Sequence, residues 1–571
     1  MKLSIRVFLV CSILTISMYN AVSQSNNKNL WRDHLPYNNC KAVSEAGELI
    51  YAATPYSLFY YNAEDQSLTR QNKVTADGLS DIGISSIGYC TALNTLVVAY
   101  SNTNIDLVKG SEVVNIPDIK LKQILGNKTI NSILIIGKLA YMACGFGIVV
   151  LDIEKEEIKD TYYIGPSGSQ IDVKALTFHS VDNKFYAATE KGIYSALSTE
   201  NLAYYVNWVR ESSITGPNDN FNLITSFSGK VYANKTKYSW DSDSMFVKNG
   251  NSWAYFIPAD HANRTSMRVC GEKLVISNNW NVSVYLSDGT AEAFYTSYNP
   301  TTSVKPADAI FDKAGKLWIA DYEQGLWSIG TDQAASNYVF NGPSSPTVSA
   351  MDISGRQLWA VPGGRTAGFG SIFRLPQYYT LADNTWKSYT WVTLPEIANF
   401  RDILCVAADP AKGDHAFLGS WGQGVIEMEN GELKEIYTPA NSTLQYIDGL
   451  GAGYLRIGGL AFDKNNNLWV TNSNASNILS RRKPTGEWKS FNLGSEGTGI
   501  DAGTLVIDHE DQKWIQRRDL ALLVFNENYP PKKLTNAVGN GALPGTSIAS
   551  MAVDLDGQLW LGSDQGVAVI S

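Results

Sequence analysis

SIASMAVDLDGQLWLGSDQGVAVI, residues 547–570, decides how the rest of the chain is read. An apolar run from Ile548 to Val553 leads into Asp554-Leu555-Asp556-Gly557, then a run around Trp560, then Gly566 and a third apolar run. This predicts three short antiparallel strands, because Asp can cap its own turn and Gly accepts a positive φ. Three such strands cannot bury their own faces, so the unit requires copies of itself.

The copies are present. The large residue of the second strand recurs at Tyr51, Val98, Tyr141, Tyr186, Tyr232, Val275, Trp318, Trp359, Phe417, Trp469, Trp514 and Trp560. FDKAGKLWIADYEQGLWSI (311–329) and FDKNNNLWVT (462–471) repeat the layout closely. Earlier copies such as GELIYAATPYSLFYY (47–61) and VDNKFYAATEKGIYSA (181–196) put Tyr in the place of Trp. Polar-aromatic segments after the copies, among them NSWAYFIP (251–258) and EWKSFNL (487–493), supply a fourth, outer strand. A period mostly in the forties with four strands per unit predicts propeller blades, and no 3.6-residue apolar pattern supports a helical repeat.

The expected fold is therefore all-β, two consecutive β-propellers of the seven-bladed type, the second incomplete, because twelve blades exceed one ring. Residues 24–335 form the first ring and 336–571 the second, about five blades, divided within the Gly/Ser/Pro-rich GTDQAASNYVFNGPSSP (330–346). NLWRDHLPY (29–37) resembles an outer strand lacking its preceding three, so it is expected to complete a blade and close a ring. The last blade stops after a third strand, and the expectation is that the natural C-terminus lies further on.

Residues 1–23 carry Lys2 and Arg6, an apolar run and Ala21-Val22-Ser23, the pattern of a secretory signal peptide. Cys11 falls too early to be a lipoprotein cysteine, and no later run is long enough to span a membrane. The formal net charge of −9 becomes more negative once that segment is removed, which argues against nucleic acid as a partner. Arg481-Arg482-Lys483, the densest basic cluster, is read as a solvated hairpin tip. Cys40, Cys90, Cys144, Cys270 and Cys405 are odd in number and widely spaced, so they are read as buried thiols rather than as disulfides or a zinc site.

The Asp-x-x-Gly-x-Leu-Trp-x-Gly repeat, clearest at 554–562 and 312–320, resembles the periplasmic propellers of hybrid two-component sensors. LWRDHLPYNN (30–39), VSEAGELIYAATPYSLFYYN (43–62), ADGLSDIGISSIGY (76–89) and IDVKALTFHSVDNKFYAATEKGIYS (171–195) resemble the PorZ family of the type IX secretion system, and that likeness runs along the mature chain. It implies an exported, non-enzymatic cell-surface component associated with the outer membrane. It implies two seven-bladed propellers and a terminal β-sandwich, and action in the attachment complex that anchors secreted cargo. The implied partners are a PorU-like sortase, PorV-like and PorQ-like outer-membrane proteins, and anionic lipopolysaccharide. The family has no short catalytic motif, so the resemblance transfers no site residue. The competing reading is a periplasmic propeller sensor domain of a hybrid two-component system; a propeller lyase or glycosidase would need carboxylates or histidines converging at one channel mouth.

The residues themselves point to no catalytic, cofactor or metal site. His34, His179, His261, His415 and His509 are scattered, and neither Gly-x-Ser-x-Gly nor a P-loop occurs. Asp554-x-Asp556-Gly557 and Asp508-His509-Glu510-Asp511 fall at blade turns and lack the later Glu of a calcium loop. The pattern is similar to the sialidase Asp-box without its leading Ser-x-Asp. Two loops are candidate ligand contacts: PGGRTAGFGS (362–371) through Arg365, and GSWGQG (419–424), expected to expose Trp421. An arginine and an aromatic at a rim suit a sugar bearing an anionic group.

Overall fold

Short alternating runs between turn residues become strands, and the strands assemble four at a time. The computed structural model describes residues 32–72, 78–237, 239–447, 449–450, 454–519, 521–545 and 547–570. The expected signal peptide with Cys11 and the first residues of NLWRDHLPY lie outside them. The chain divides into two units, one ending at Phe340 and one beginning at Asn341.

In the first unit, seven four-stranded antiparallel meanders span 42–70, 84–116, 130–162, 173–210, 221–256, 264–295 and 306–338, here blades 1 to 7. First strands of neighbouring blades pack side by side, and that of blade 1 (Ala42–Ala46) lies beside that of blade 7 (Pro306–Phe311), which closes the ring. The second unit carries blades 8 to 11 (350–390, 403–437, 457–491, 502–534) and the three strands of 548–570, blade 12. Both units are β-propellers. All twelve aligned large residues fall on the second strand of their blade.

Closure differs from the expected outer strand. Among the described residues, 32–41 form no strand, and blade 7 has its own fourth strand, Ala335–Tyr338. The segment instead wedges between blades 7 and 1. Tyr37 and Cys40 are buried with Val43, Phe59, Trp318 and Leu326, and the Cys40 N–H donates to the Asp321 carbonyl at 2.9 Å. Burial of apolar surface rather than a shared sheet seals this ring.

The repeat has a polar core. In blades 7, 10, 11 and 12 the turn Asp lies six residues before the Trp, and its carboxylate accepts the indole N–H: Asp312–Trp318, Asp463–Trp469 and Asp508–Trp514 at 2.8 Å, Asp554–Trp560 at 2.7 Å. The other oxygen accepts a backbone N–H four residues on, as Gln512 donates to Asp508 and Gln558 to Asp554. One carboxylate thus fixes the hairpin and satisfies the buried indole. Burial pushes the Asp463 carboxyl up, but hydrogen bonds from Asn467 and Trp469 outweigh it and hold it below its usual value.

Cys40, Cys90, Cys144 and Cys405 are buried free thiols and Cys270 is half-buried. The basic cluster is not a solvated tip. Arg481 lies over Trp469 and Phe491, Arg482 over Phe417 and Tyr437, and both side chains are 15% exposed.

Trp469→Phe, which keeps the ring and leaves the buried Asp463 oxygen without its donor, should destabilise the second unit by about 1–3 kcal/mol. Trp560, 44% exposed, should tolerate the same change with no measurable shift in a denaturant midpoint. Equal shifts for the two variants would show that the indole bond is not what holds the blade.

Candidate functional site

Blade geometry gives the first ring a lined axis. Each first strand from blade 2 to blade 7 carries one extra residue against its neighbour at the same level: Ser85, Asn131, Lys174, Asn222, Thr265 and Ala307. A bulge turns that residue out of the pleat. Lys41 stands at the corresponding place in blade 1, immediately before Ala42. All seven line a cavity of about 510 Å³ on the ring axis.

Hydroxyls and amides share this lining with aliphatic side chains such as Ile133, Leu176 and Ile224, and most of the polar groups are held in place. Asn131 donates to the Asp172 carboxylate at 2.8 Å and to the Val173 carbonyl at 2.7 Å; Thr265 donates to the Pro306 carbonyl at 2.9 Å. Lys174 is paired with Asp172 at 2.5 Å. Arg268 pairs with Asp308 through two of its nitrogens, Nε to Oδ1 at 2.9 Å and Nη2 to Oδ2 at 2.6 Å. Both carboxylates are therefore engaged by cations. Lys41, an exposed side chain, has no ion pair among the described residues, and partial loss of water inside the ring pushes its ammonium pKa down.

In the second ring the structure brings Arg365 and Trp421 together, but not as an exposed pair. Loop 362–376 of blade 8 is pinned by Asp402, whose carboxylate accepts the N–H groups of Ile372, Phe373 and Arg374 at 2.8–3.0 Å. The loop folds over Trp421, which is 1% exposed and donates its indole N–H to the Phe369 carbonyl at 3.1 Å. No sugar can stack on that face. Arg365 lies 3.8 Å from the Phe369 ring centre and 4.9 Å from that of Trp421, and Arg456 lies 5.4 Å from the same indole. Arg365 Nη2 reaches Gln516 of blade 11 at 3.0 Å, so the loop spans the ring face; Nη1 is buried without an acceptor. Loss of water brings the guanidinium pKa down to about 10.

A third cluster escaped the sequence reading. In blade 9 the turn Asp is Asp409, and the large residue is Phe417, which has no N–H to offer. Asp409 instead binds His415 Nδ1 at 2.7 Å, and Glu427 binds His415 Nε2 at 2.8 Å. Tyr437 donates to the second Glu427 oxygen at 2.5 Å, and Arg482 Nη2 lies 3.4 Å from it. A cavity of about 390 Å³ opens beside these groups. Burial lowers the His415 pKa, but the hydrogen bonds to Glu427 and Asp409 outweigh it and the net value is raised. Burial raises the Asp409 and Glu427 carboxyls, yet bonds led by His415 leave both below their usual values. With an acceptor on each nitrogen, the imidazole is held as imidazolium. The signal available in sequence was a turn Asp followed by His where other blades have Trp.

Residues 50–209 match the family described as TSS9, PorZ, N-terminal beta-propeller domain. The chain resembles PorZ. The solved structure of PorZ from Porphyromonas gingivalis, an essential bacterial surface component of the type IX secretion system, superposes with a TM-score of 0.80 at 22% identity, over 95% of this chain and 73% of that one. The extracellular domain of a hybrid two-component system of B. thetaiotaomicron reaches a TM-score of only 0.41 at 14% identity, over 94% of this chain and 75% of that one. No curated protein matches the chain. Among the described residues no helix is long and apolar enough to cross a membrane. The PorZ-like first propeller thus carries the lined axis, and the second carries the arginine loop and the histidine cluster.

Stability linked to His415 should be present below about pH 6.5 and lost as pH rises through its raised folded value. Stability linked to Asp409 and Glu427 should be present above about pH 4.5 and lost as pH falls through their lowered values. The melting temperature of the second unit should therefore peak between these limits and fall on the alkaline side. His415→Gln should flatten that alkaline slope; parallel curves for the two proteins would exclude the imidazolium as its source.

Proposed function

We propose that the chain is an exported, non-enzymatic cell-surface component of the type IX secretion system that works in the attachment complex joining secreted cargo to anionic lipopolysaccharide. The observation that carries this reading is the match of residues 50–209 to the PorZ N-terminal propeller, with a PorZ-like fold continuing through both units. The lined axis agrees with binding rather than catalysis, because Asp172 and Asp308 are neutralised by Lys174 and Arg268 and neither is free to act as a general base. The partners in this reading are a PorU-like sortase and PorV-like and PorQ-like outer-membrane proteins, met after passage through the periplasm. Arg365 is the proposed contact for the anionic group of the lipopolysaccharide, and Trp421 is the floor that holds it rather than a stacking face.

Deletion of the gene should leave cargo unprocessed and released to the medium, and the wild-type gene should restore anchoring. Cargo still processed and anchored in the deletion strain would overturn the reading. Arg365→Ala should weaken lipopolysaccharide binding by about tenfold, the size of one charge-assisted contact. Unchanged binding would remove Arg365 from it.

A further inference from the structure

The repeated bulge gives the first ring a built interior that internal packing does not use up. Lys41 carries a positive charge with no ion pair among the described residues. Two blades back round the ring, Arg268 is oriented by Asp308, which occupies Nε and Nη2 and leaves Nη1 uncommitted. Its side chain is 37% exposed, and both residues line the same cavity. Between them lies blade 7, which contributes Ala307 at the bulge; on the strand of Arg268, the Ser266 hydroxyl is buried without a hydrogen-bond partner. Asp308 pairs with Arg268 and no carboxylate among the described residues pairs with Lys41, so this side of the cavity carries an excess of positive charge. Around the rest of the wall, the hydroxyl oxygens of Ser85, Ser132 and Thr265, though spent as donors, retain lone pairs that accept hydrogen bonds. A volume of about 510 Å³ lies within the range of small-molecule sites.

We propose that the axial cavity of the first propeller binds a small polyhydroxylated acid, with its oxyanion between Lys41 and Arg268 and its hydroxyls donating to the bulge residues opposite. Ala307 is the one bulge residue with neither charge nor hydrogen-bonding group, and it leaves room where the oxyanion sits. A uronate carboxylate and a sugar or polyol phosphate share this chemistry. A neutral sugar lacks the charge, and inorganic anions lack the hydroxyls.

The test titrates the full chain by calorimetry with glucuronate, glycerol 2-phosphate and glucose at fixed ionic strength. Saturable binding of either acid, with glucose at least about tenfold weaker, is the expected result, and whichever acid binds more tightly identifies the oxyanion. Lys41→Met should weaken that acid by about tenfold. It removes a side chain with no ion pair among the described residues, so its fold should be retained. Arg268→Lys, which keeps charge but loses the planar fork, should weaken binding while leaving the Asp308 pair in place. Arg365→Ala in the other unit should bind the acid as wild type does, which separates this cavity from the proposed lipopolysaccharide contact. Binding by neither acid, equal binding of glucose, or unchanged affinity in Lys41→Met would each overturn the inference. Its fate is independent of the cargo-anchoring assay.

Discussion

A tryptophan can fill the wedge between two propeller blades only if its indole N–H finds an acceptor, since an unpaired donor there would forfeit much of what burying the ring contributes. In blades 7, 10, 11 and 12 the turn aspartate meets this demand, while Trp359 of blade 8 donates to the Gly413 carbonyl at 3.2 Å. The same carboxylate that accepts the indole also accepts backbone N–H groups of its own hairpin, so turn geometry and core packing are fixed by one group. Trp469 shows how far this extends. Its N–H binds Asp463 while Lys513 lies 4.1 Å from the ring and Arg481 5.4 Å. Two blades and a neighbouring turn therefore meet at one side chain.

Blade 9 lacks the tryptophan, and its core is rebuilt around the loss. Phe417 fills the wedge but offers no donor, which would leave Asp409 buried beside an aromatic ring. His415 supplies the missing N–H, and its second nitrogen then requires Glu427, which in turn gathers Tyr437 and Arg482. One change from indole to phenyl is answered by a network of four polar groups, and a histidine held between two carboxylates enters the core of this blade.

Period and turn chemistry made the blades legible, because a fixed spacing of the large second-strand residue survives even where Tyr or Val replaces Trp. The six-residue offset from Asp to Trp was equally present in the sequence, at 312/318, 463/469, 508/514 and 554/560, and already encoded the hydrogen bond. The loops of Arg365 and Trp421 stood out as interruptions of the blade pattern, and the fold brings the two side chains into contact. The burial of Trp421 was not legible, because it depends on loop 362–371 closing over it, held by an aspartate some thirty residues further on. The N-terminal segment misled for a similar reason. Its polar-aromatic pattern is that of an outer strand, but blade 7 supplies its own, and Tyr37 serves a wedge instead. Bulges leave almost no trace in a single sequence, since one extra residue is visible only once the partner strand is in register.

That hidden residue is where the two rings part company. In the first ring the bulge positions are mostly charged or hydrogen-bonding, and in the second they are Leu404, Gly458, Gly503 with Thr504, and Ala549. A Cβ at Gly458 would lie 2.3 Å from the Ala502 carbonyl oxygen and 2.9 Å from the Gly503 Cα, so glycine there lets two first strands approach more closely than any side chain would allow. The backbone device is the same in both rings. With polar side chains it presents groups to an open axis; with glycine it draws blades 10 and 11 together, and the second unit spreads a loop across its face instead. Fold alone does not distinguish the two propellers. The residues at the bulges do: hydroxyl, amide and lysine side chains face the axis of the first ring, whereas glycine closes the approach of blades 10 and 11 in the second.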